Sequence, residues 1–450
     1  MIEREAPVSR ALVIHPASRA DMARADARLE EASGLAEALD LEVADAFILQ
    51  TRKIDSGRYF GRGKMAEIGD LITELEANVA VIDTALSPIQ QRNLEKAWNV
   101  KVIDRTGLIL EIFGQRARTK EGVLQVELAR LAYERSRLVR TWTHLERQRG
   151  GRGFLAGPGE TQIETDRRLL NEKMAKLRRQ LDEVRRTRTL HRAQRQDVPF
   201  PTVAFVGYTN AGKSTLFNAL TGAGVFAQDM PFATLDPTVR AVDLPGGTRI
   251  LLSDTVGFIT DLPTELIAAF RATLEEVREA DLLVHVIDAS DPDRVGRIQD
   301  VESVLDAIEA GPSHDQAMIE AWNKADRLDE EDSEDLAITV QMANLKAGRP
   351  IKLALSAITG MGVETFIEAI ERALSTEDER LEIHIPPQDA RALAWLHAHG
   401  DVLASKVNPE TGATTLQVRL HPVEAGRFRS QFPELAIPQG IGEVEDEDDF

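Results

Sequence analysis

Five short stretches carry residue types and spacings that can do chemistry. The first is "VAFVGYTNAGKST" (203–215), an apolar run followed by Gly207-x-x-x-x-Gly212-Lys213-Ser214. In such a loop the backbone amides of Gly207, Tyr208, Thr209, Asn210, Ala211, Gly212 and Thr215 converge on phosphate oxygens, helped by the helix N-terminus that follows. Lys213 places a point charge on the β- and γ-phosphates, and the Ser214 hydroxyl is a ligand for Mg²⁺. The second is "SDTVGFIT" (253–260). Asp254 ends an apolar strand and reaches Mg²⁺ through water, and beyond Thr255 and Val256 the Gly257 amide touches a γ-phosphate. Between the two lies "PFATLDPT" (231–238), with Phe232, Ala233, Thr234, Leu235 and Asp236. Thr234 is the residue expected to close on the metal when the γ-phosphate is present, with Thr238 as its competitor.

The other two stretches select the base. "WNKAD" supplies Asn323, Lys324, Ala325 and Asp326. A carboxylate at Asp326 accepts from both N1–H and the 2-amino group of guanine, a pair that adenine lacks. Lys324 can lay its stem along the base. "LSAITG" supplies Ser356, Ala357 and Ile358, with the Ala357 amide expected to meet guanine O6. In this order and spacing the five stretches point to a Mg²⁺-dependent site for GTP and GDP. One position is unusual for hydrolysis. Many GTPases carry a water-orienting glutamine after the glycine; here Phe258 stands there, and its ring cannot hydrogen-bond to water. Slow intrinsic turnover is expected, because phosphoryl transfer depends on positioning and charge neutralisation.

These residues need strands and helices to hold them. In 198–376, "TVAFVG", "RILLSD", "LLVHVID" and "IKLALSA" read as strands alternating with helices, an α/β domain of the phosphate-loop type. In 1–117, "ALVIH" (11–15), "AFIL" (46–49), "VAVID" (79–83) and "VKVID" (100–104) alternate with helical segments such as 64–77 and 88–98, predicting a small parallel α/β domain. Residues 118–197 differ. Leu124, Leu128, Leu131, Leu138, Trp142 and Leu145 follow 4-3 steps with Arg135 filling one slot, and Leu170, Met174, Leu177, Leu181 and Val184 repeat them. The spacing predicts an antiparallel helical hairpin with a glycine-rich tip at 150–160. After a linker at 375–380, residues 381–440 read as a small α+β module, and 441–450 as an acidic tail.

The length of 450 residues suits about three domains. The formal charge of −20 argues against a global pull toward nucleic acid, yet residues 115–195 hold 21 Lys and Arg against 10 Asp and Glu. That stretch is either a phosphate-contacting surface or an arginine-rich solvated helix pair. Absence of cysteine excludes disulfides and thiolate chemistry. No apolar window approaches a membrane span and the N-terminus lacks the form of a signal peptide, so a cytoplasmic monomer without a membrane span is expected.

The chain resembles the HflX family of translation-factor-class GTPases. The likeness rests on "DRTGLILEIFGQRARTKEGVLQVELARL" (104–131), "GGRGFLAGPGETQIETDRR" (150–168), "GYTNAGKSTLFN" (207–218) and "FATLDPT" (232–238), of which the glycine-rich tip is the most specific. The resemblance implies binding to the large ribosomal subunit, its rRNA and proteins, with ribosome-stimulated hydrolysis and splitting of stalled ribosomes. It makes the hairpin and N-terminal domain the ribosome-facing parts, with Arg149, Gly150, Gly151, Arg152, Gly153, Gly157 and Gly159 as contact residues. It also places Phe258 among the hydrophobic replacements for the catalytic glutamine. Asn210 then stands where some related GTPases coordinate K⁺, or is a turn residue. Some members bind ATP in the N-terminal domain; here "YFGRGKMAEI" (59–68) is the one candidate, and it reads as a structural turn. A signalling switch with a protein effector and a nucleotide-driven RNA-remodelling enzyme are the rival readings.

Overall fold

Branched apolar residues in short runs, each followed by an amphipathic stretch, build the first layer of the protein. The computed structural model describes residues 9–148, 158–193, 200–222, 231–232, 238–260, 271–345, 350–375, 379–408, 411–420 and 422–435. Strands β1 (Arg10–Ala17), β2 (Glu42–Gln50), β3 (Val79–Ile82) and β4 (Lys101–Asp104) alternate with helices α1 (Ala25–Glu37), α2 (Arg62–Glu74), α3 (Pro88–Trp98) and α4 (Arg105–Arg116). The strands pair in parallel in the order β2-β1-β3-β4. β1, β3 and β4 are buried along almost their whole length and read as continuous apolar runs rather than alternating ones, whereas the edge strand β2 is mostly half-buried or exposed. Leu12, Ile14, Ala80 and Ile82 face a core with Met65, Ile68, Leu94 and Trp98 of α2 and α3. Ala11, Val13, Val79 and Val81 face the opposite side. Helix α3 opens on a capping box between Ser87 and Gln90 with Pro88 in its first turn, which fixes its start.

Helices α5 (Lys120–Gln148) and α6 (Pro158–Ala193) form the antiparallel hairpin. Leu124, Leu131, Met174, Leu177 and Leu181 are its buried seam, with Leu128, Leu170 and Val184 packed beside them. Arg135, which interrupts the heptads, donates to Asn171 across the pair (3.3 Å). The second helix begins at Pro158, so Gly159 lies in its first turn rather than in the tip loop expected to extend to 160. Arg149, Gly150, Gly151, Arg152, Gly153 and Gly157 lie outside the described residues.

The third layer is the phosphate-loop domain. Its elements are β5 (Thr202–Val206), α7 (Lys213–Thr221), β6 (Thr238–Asp243), β7 (Arg249–Asp254), α8 (Arg271–Arg278), β8 (Leu282–Asp288), α9 (Arg294–Ala307), β9 (Met318–Asn323), α10 (Glu330–Asn344), β10 (Ile351–Ala354) and α11 (Val363–Ser375). The sheet order is β10-β9-β8-β5-β7-β6, parallel except for the edge strand β6. The C-terminal module is an antiparallel sheet, β11 (Glu379–Ile385), β12 (Asp401–Val407) and β13 (Thr414–Leu420), with α12 (Ala390–His399) and α13 (Pro422–Gln431). Its first strand starts at Glu379, inside the stretch read as linker. No described helix is long and apolar enough to cross a membrane.

Two sheets from different parts of the chain share one core. Val206, Tyr208, Phe232, Val256, Phe258, Ile259, Leu274 and Leu283 join Ala11, Val13, Leu35, Ile109, Ile112 and Phe113 in a single buried cluster. Phe113 and Phe232 meet edge to face with centroids 4.5 Å apart. At the β4–α4 junction, consecutive residues face different neighbours. Asp104 accepts from Tyr133 (2.5 Å) and Arg137 (2.7 Å) of α5, and Arg105 turns toward the phosphate-loop domain. Arg137 also stacks over the Tyr133 ring at 4.1 Å.

Candidate guanine-nucleotide site

Three glycines let the backbone pass where any side chain would collide. Gly207 has φ +146°, and a Cβ there would lie 2.3 Å from the Val286 carbonyl oxygen. Gly212 has φ +93°, and its Cβ would fall 2.2 Å from the Asn323 carboxamide. A Cβ at Gly257 would fall 2.9 Å from Thr209 Cα and 3.1 Å from Lys213 Nζ, so this backbone lies directly against the phosphate loop. The loop and the segment after Asp254 are joined by a short ladder: the Thr209 amide donates to the Phe258 carbonyl (2.8 Å) and the Phe258 amide to the Gly207 carbonyl (3.1 Å).

Within the loop, Lys213 is buried, and its ammonium donates to the Gly207 and Tyr208 carbonyls at 3.0 and 2.8 Å. Burial pushes this group down to about 8, against the pull of the Asp254 carboxylate. Beneath it His285 is held neutral: burial, with the charges of Lys213 and Lys352, takes it down to about 3. Ser214 donates to Asp254 at 2.7 Å, so the hydroxyl at the start of α7 and the carboxylate at the end of β7 converge. A hydroxyl and a carboxylate at that separation are hard oxygen donors that suit Mg²⁺, which typically takes one or two carboxylates plus phosphates and water. Among the described residues no group of three His, Asp or Glu side chains is gathered for a metal. Thr215 is half-buried on α7. Asn210 is exposed, with φ +62°, a left-handed conformation that asparagine tolerates and that gives it a turn role of its own.

The base-selecting loops close the other end. Asn323 is buried, donates to the Ala211 carbonyl (2.9 Å) and accepts from the Ala357 amide (2.9 Å). Its carboxamide thus ties the phosphate loop to the loop that follows β10. The Ala357 amide, expected to meet guanine O6, is engaged by Asn323, because β9 and β10 run side by side and bring the two loops within reach. Lys324 pairs with Asp288 at 2.8 Å, which fixes its stem. Ala325 is buried, Asp326 is exposed in a 3₁₀ turn, and Ile358 is exposed. Ser356 is buried and accepts from the Thr359 amide (3.1 Å), shaping the loop.

Several expected contact residues turn elsewhere. Phe232 is a core residue whose ring sits against Phe113, so only its backbone is left for a nucleotide. Thr255 is buried and donates to the Phe205 carbonyl, and Val256 is buried in the shared core. Tyr208 directs its hydroxyl toward Glu31 of helix α1. Ala233, Thr234, Leu235 and Asp236 lie outside the described residues. Thr238, the competitor of Thr234, opens β6 and pairs with Asp254 across the ladder. Phe258, the residue in the glutamine position, is 2% exposed and points into the shared core.

Sequence reasoning missed Asp288, Glu31, Asp83, Arg105 and Thr260. Asp288 was legible in hindsight, since "VID" ends a strand beside the base-selecting loop. Of the others, Asp83, Arg105 and Thr260 fall inside quoted stretches but with no role read for them, and only the packing of two domains gathers the four. Arg105 donates to Asp83 (2.5 Å), pairs with Glu31, and donates twice to the Thr260 carbonyl (2.9 and 3.2 Å). Burial would lower Arg105, yet Glu31 and Asp83 hold it above the ordinary guanidinium value. Burial opposes ionisation of Asp83, but Arg105 and a hydrogen bond from His15 (2.7 Å) overcome it and bring the carboxyl to about 2.

Comparison with known proteins covers nearly the whole chain. Family models match residues 26–114 (GTP-binding GTPase N-terminal), 116–195 (GTP-binding GTPase middle region), 202–324 (50S ribosome-binding GTPase) and 341–439 (HflX C-terminal domain). The chain is similar to GTPase HflX of Magnetococcus marinus, 51% identical over 403 residues, covering 90% of both chains. It is 44% identical to GTPase HflX of Escherichia coli over 408 residues, 90% of this chain and 93% of that one. Among solved structures it matches a GTP-binding protein from Sulfolobus solfataricus in complex with GDP. That match is at 24% identity and a TM-score of 0.43, over 81% of this chain and 98% of that chain.

Proposed function

The chain belongs to the GTPase HflX family and is a GTP-hydrolysing enzyme; on that premise we propose that it binds the large ribosomal subunit and uses GTP to split or recycle stalled ribosomes in the cytoplasm. In this reading the amides of the phosphate loop, apart from that of Thr209, which is engaged by the Phe258 carbonyl, hold the phosphates, and Lys213 neutralises the β- and γ-phosphates. Ser214, Asp254 and Thr234 hold Mg²⁺, which when bound offsets charge on the transferring phosphoryl group. Gly257 lends its amide to the γ-phosphate, and Asp326 selects guanine. The observation that carries the reading is the convergence of Ser214, Asp254, Lys213 and Gly257 on one loop. The position of Phe258 supports a trigger outside the site. No side chain from residue 258 reaches a water at the γ-phosphate, so activation falls to a bound K⁺ at Asn210, to a partner that orders the switch segments, or to both. The hairpin supports the partner: its root is tied to the N-terminal sheet through Asp104, and its stretch of the chain carries the positive surplus.

The test is GTP turnover with and without purified large subunits at two salt concentrations, beside gradient sedimentation of whole ribosomes with a non-hydrolysable GTP analogue. Replacing "GRGFLAGPG" (151–159) with a short neutral turn is expected to preserve intrinsic turnover and abolish both stimulation and splitting. Stimulation equal to that of the original protein would remove the tip from the ribosome contact. Salt-insensitive association with no splitting would favour a protein effector instead.

A further inference from the structure

The segment that follows Gly257 is held from two sides. On the phosphate-loop side lie the two ladder bonds of Phe258. On the other side stands the N-terminal domain. The Thr260 carbonyl accepts both Nε and Nη2 of Arg105. The Thr260 amide donates to the Tyr208 hydroxyl (3.0 Å), which in turn lies 2.6 Å from Glu31 and 2.6 Å from the Thr260 hydroxyl. Thr260 also donates to Asp300 on α9 (2.7 Å), and Arg24 of the N-terminal domain clasps Asp293 (2.7 Å) and Asp300 (3.4 Å). Arg105 and Glu31 are nearly inaccessible, with side chains 3% and 6% exposed. The charges are therefore desolvated, and they are matched one to another rather than to solvent. A guanidinium fork is the side chain that can serve a carboxylate, a second carboxylate and a carbonyl at once.

We propose that Arg105, with Glu31, is a positioning residue for GTP hydrolysis: from the N-terminal domain it fixes Thr260 and the Tyr208 hydroxyl, and so sets where the Gly257 amide stands over the phosphate loop. The chain of contacts is short. Gly257 lies three residues before Thr260, Phe258 between them is bonded to Gly207 and Thr209, and Tyr208 is itself a loop residue. A shift at Thr260 is thus passed to both halves of the γ-phosphate site. The clamp meets the loop only at the Tyr208 hydroxyl and through the Phe258 ladder, beside Gly257, so GDP affinity is expected to change far less than turnover. The proposal rests on the GTPase reading above, which loss of Lys213 tests separately.

The experiment uses the full-length chain with two variants. Tyr208→Phe keeps the ring in the core and removes only the hydroxyl; Arg105→Lys keeps a charge but not the fork. Single-turnover hydrolysis, steady-state KM and kcat, affinity for a fluorescent GDP analogue, and hydrogen exchange at the Thr260 amide are measured. Both variants are expected to lose about tenfold in kcat, the scale of a misplacement well under an ångström, with GDP affinity held within about twofold. Exchange at Thr260 should quicken. Leu396→Ala in the C-terminal core, which lowers stability far from the site, is expected to leave kcat alone and so separates positioning from general loosening. Unchanged kcat in Tyr208→Phe overturns the proposal, as does a fall in kcat that merely tracks a fall in GDP affinity. Where Arg105→Lys fails to fold, Tyr208→Phe decides alone.

Discussion

Restoring a glutamine at position 258 is the obvious attempt to make the enzyme self-sufficient, and the structure says it fails. Phe258 is 2% exposed and belongs to the cluster shared by the two sheets. Removing a buried phenyl ring costs about 3–5 kcal/mol by transfer and cavity terms together. Glutamine refills part of that volume but brings an amide among Tyr208, Phe232 and Ile259, and an unsatisfied buried amide costs about 1–3 kcal/mol. A net loss of about 4 kcal/mol follows, a large share of the ~5–15 kcal/mol that holds a typical domain folded. The Phe258 backbone also carries both ladder bonds to Gly207 and Thr209, so a loosened segment draws the phosphate loop with it. The assay is urea unfolding of the full chain by circular dichroism, beside GTP turnover without ribosomal subunits. Phe258→Gln is expected to lower the urea midpoint and leave intrinsic turnover no faster. A variant with an unchanged midpoint and turnover raised tenfold or more would place residue 258 at the γ-phosphate and refute the reasoning.

Three further outcomes are expected. Asp326→Asn turns an acceptor pair into half a donor, so GTP affinity should fall by about 10- to 100-fold and xanthosine triphosphate should gain; wild-type preference in a competition assay would take Asp326 out of base selection. Asp83 has its carboxyl lowered from 3.8 to about 2, so its stabilising share, about 2 kcal/mol, is present above pH 4 and lost as pH falls toward 2. Asp83→Asn should flatten that part of the acid-unfolding curve, and an unaltered curve would deny the linkage. If Asn210 positions K⁺, hydrolysis should be faster in K⁺ than in Na⁺ at equal ionic strength and Asn210→Ala should erase the difference; equal rates in the two salts would leave Asn210 only its left-handed turn.

How much of this was legible depended on whether neighbours in space were neighbours in sequence. The phosphate loop, Asp254 and the NKAD stretch could be read because each is a local device, a strand end with a turn of fixed length. The heptads of the hairpin were legible for the same reason, and Leu124, Leu131, Met174, Leu177 and Leu181 do meet in one seam. Strands β6 and β9 went unread: the first is half-exposed at a sheet edge, and the second, "MIEAWN", carries a glutamate paired with Lys352 and bonded to Trp322. The inward turn of Phe232 and Phe258 was illegible, since an aromatic in a loop gives no sign of a partner domain more than a hundred residues away. Arg105 stood inside the stretch 104–131 with no role read for it, and its three acceptors come from residues 31, 83 and 260.

The core common to both sheets has a consequence for how the chain is made. Residues 9–117 leave the ribosome first, but one face of their sheet is completed by residues such as Val206, Phe258, Leu283 and Met318. At a synthesis rate of about 5–20 residues per second, the interval between Phe113 and Met318 is about 10–40 s. During that time Leu35, Ile109 and Phe113 lack their final cover, and the arginine-rich hairpin emerges beside them before any nucleotide site exists. The newborn N-terminal half is therefore a client for whatever shields apolar surface at the exit tunnel, and the enzyme's first encounter with a large subunit is with the one that is building it.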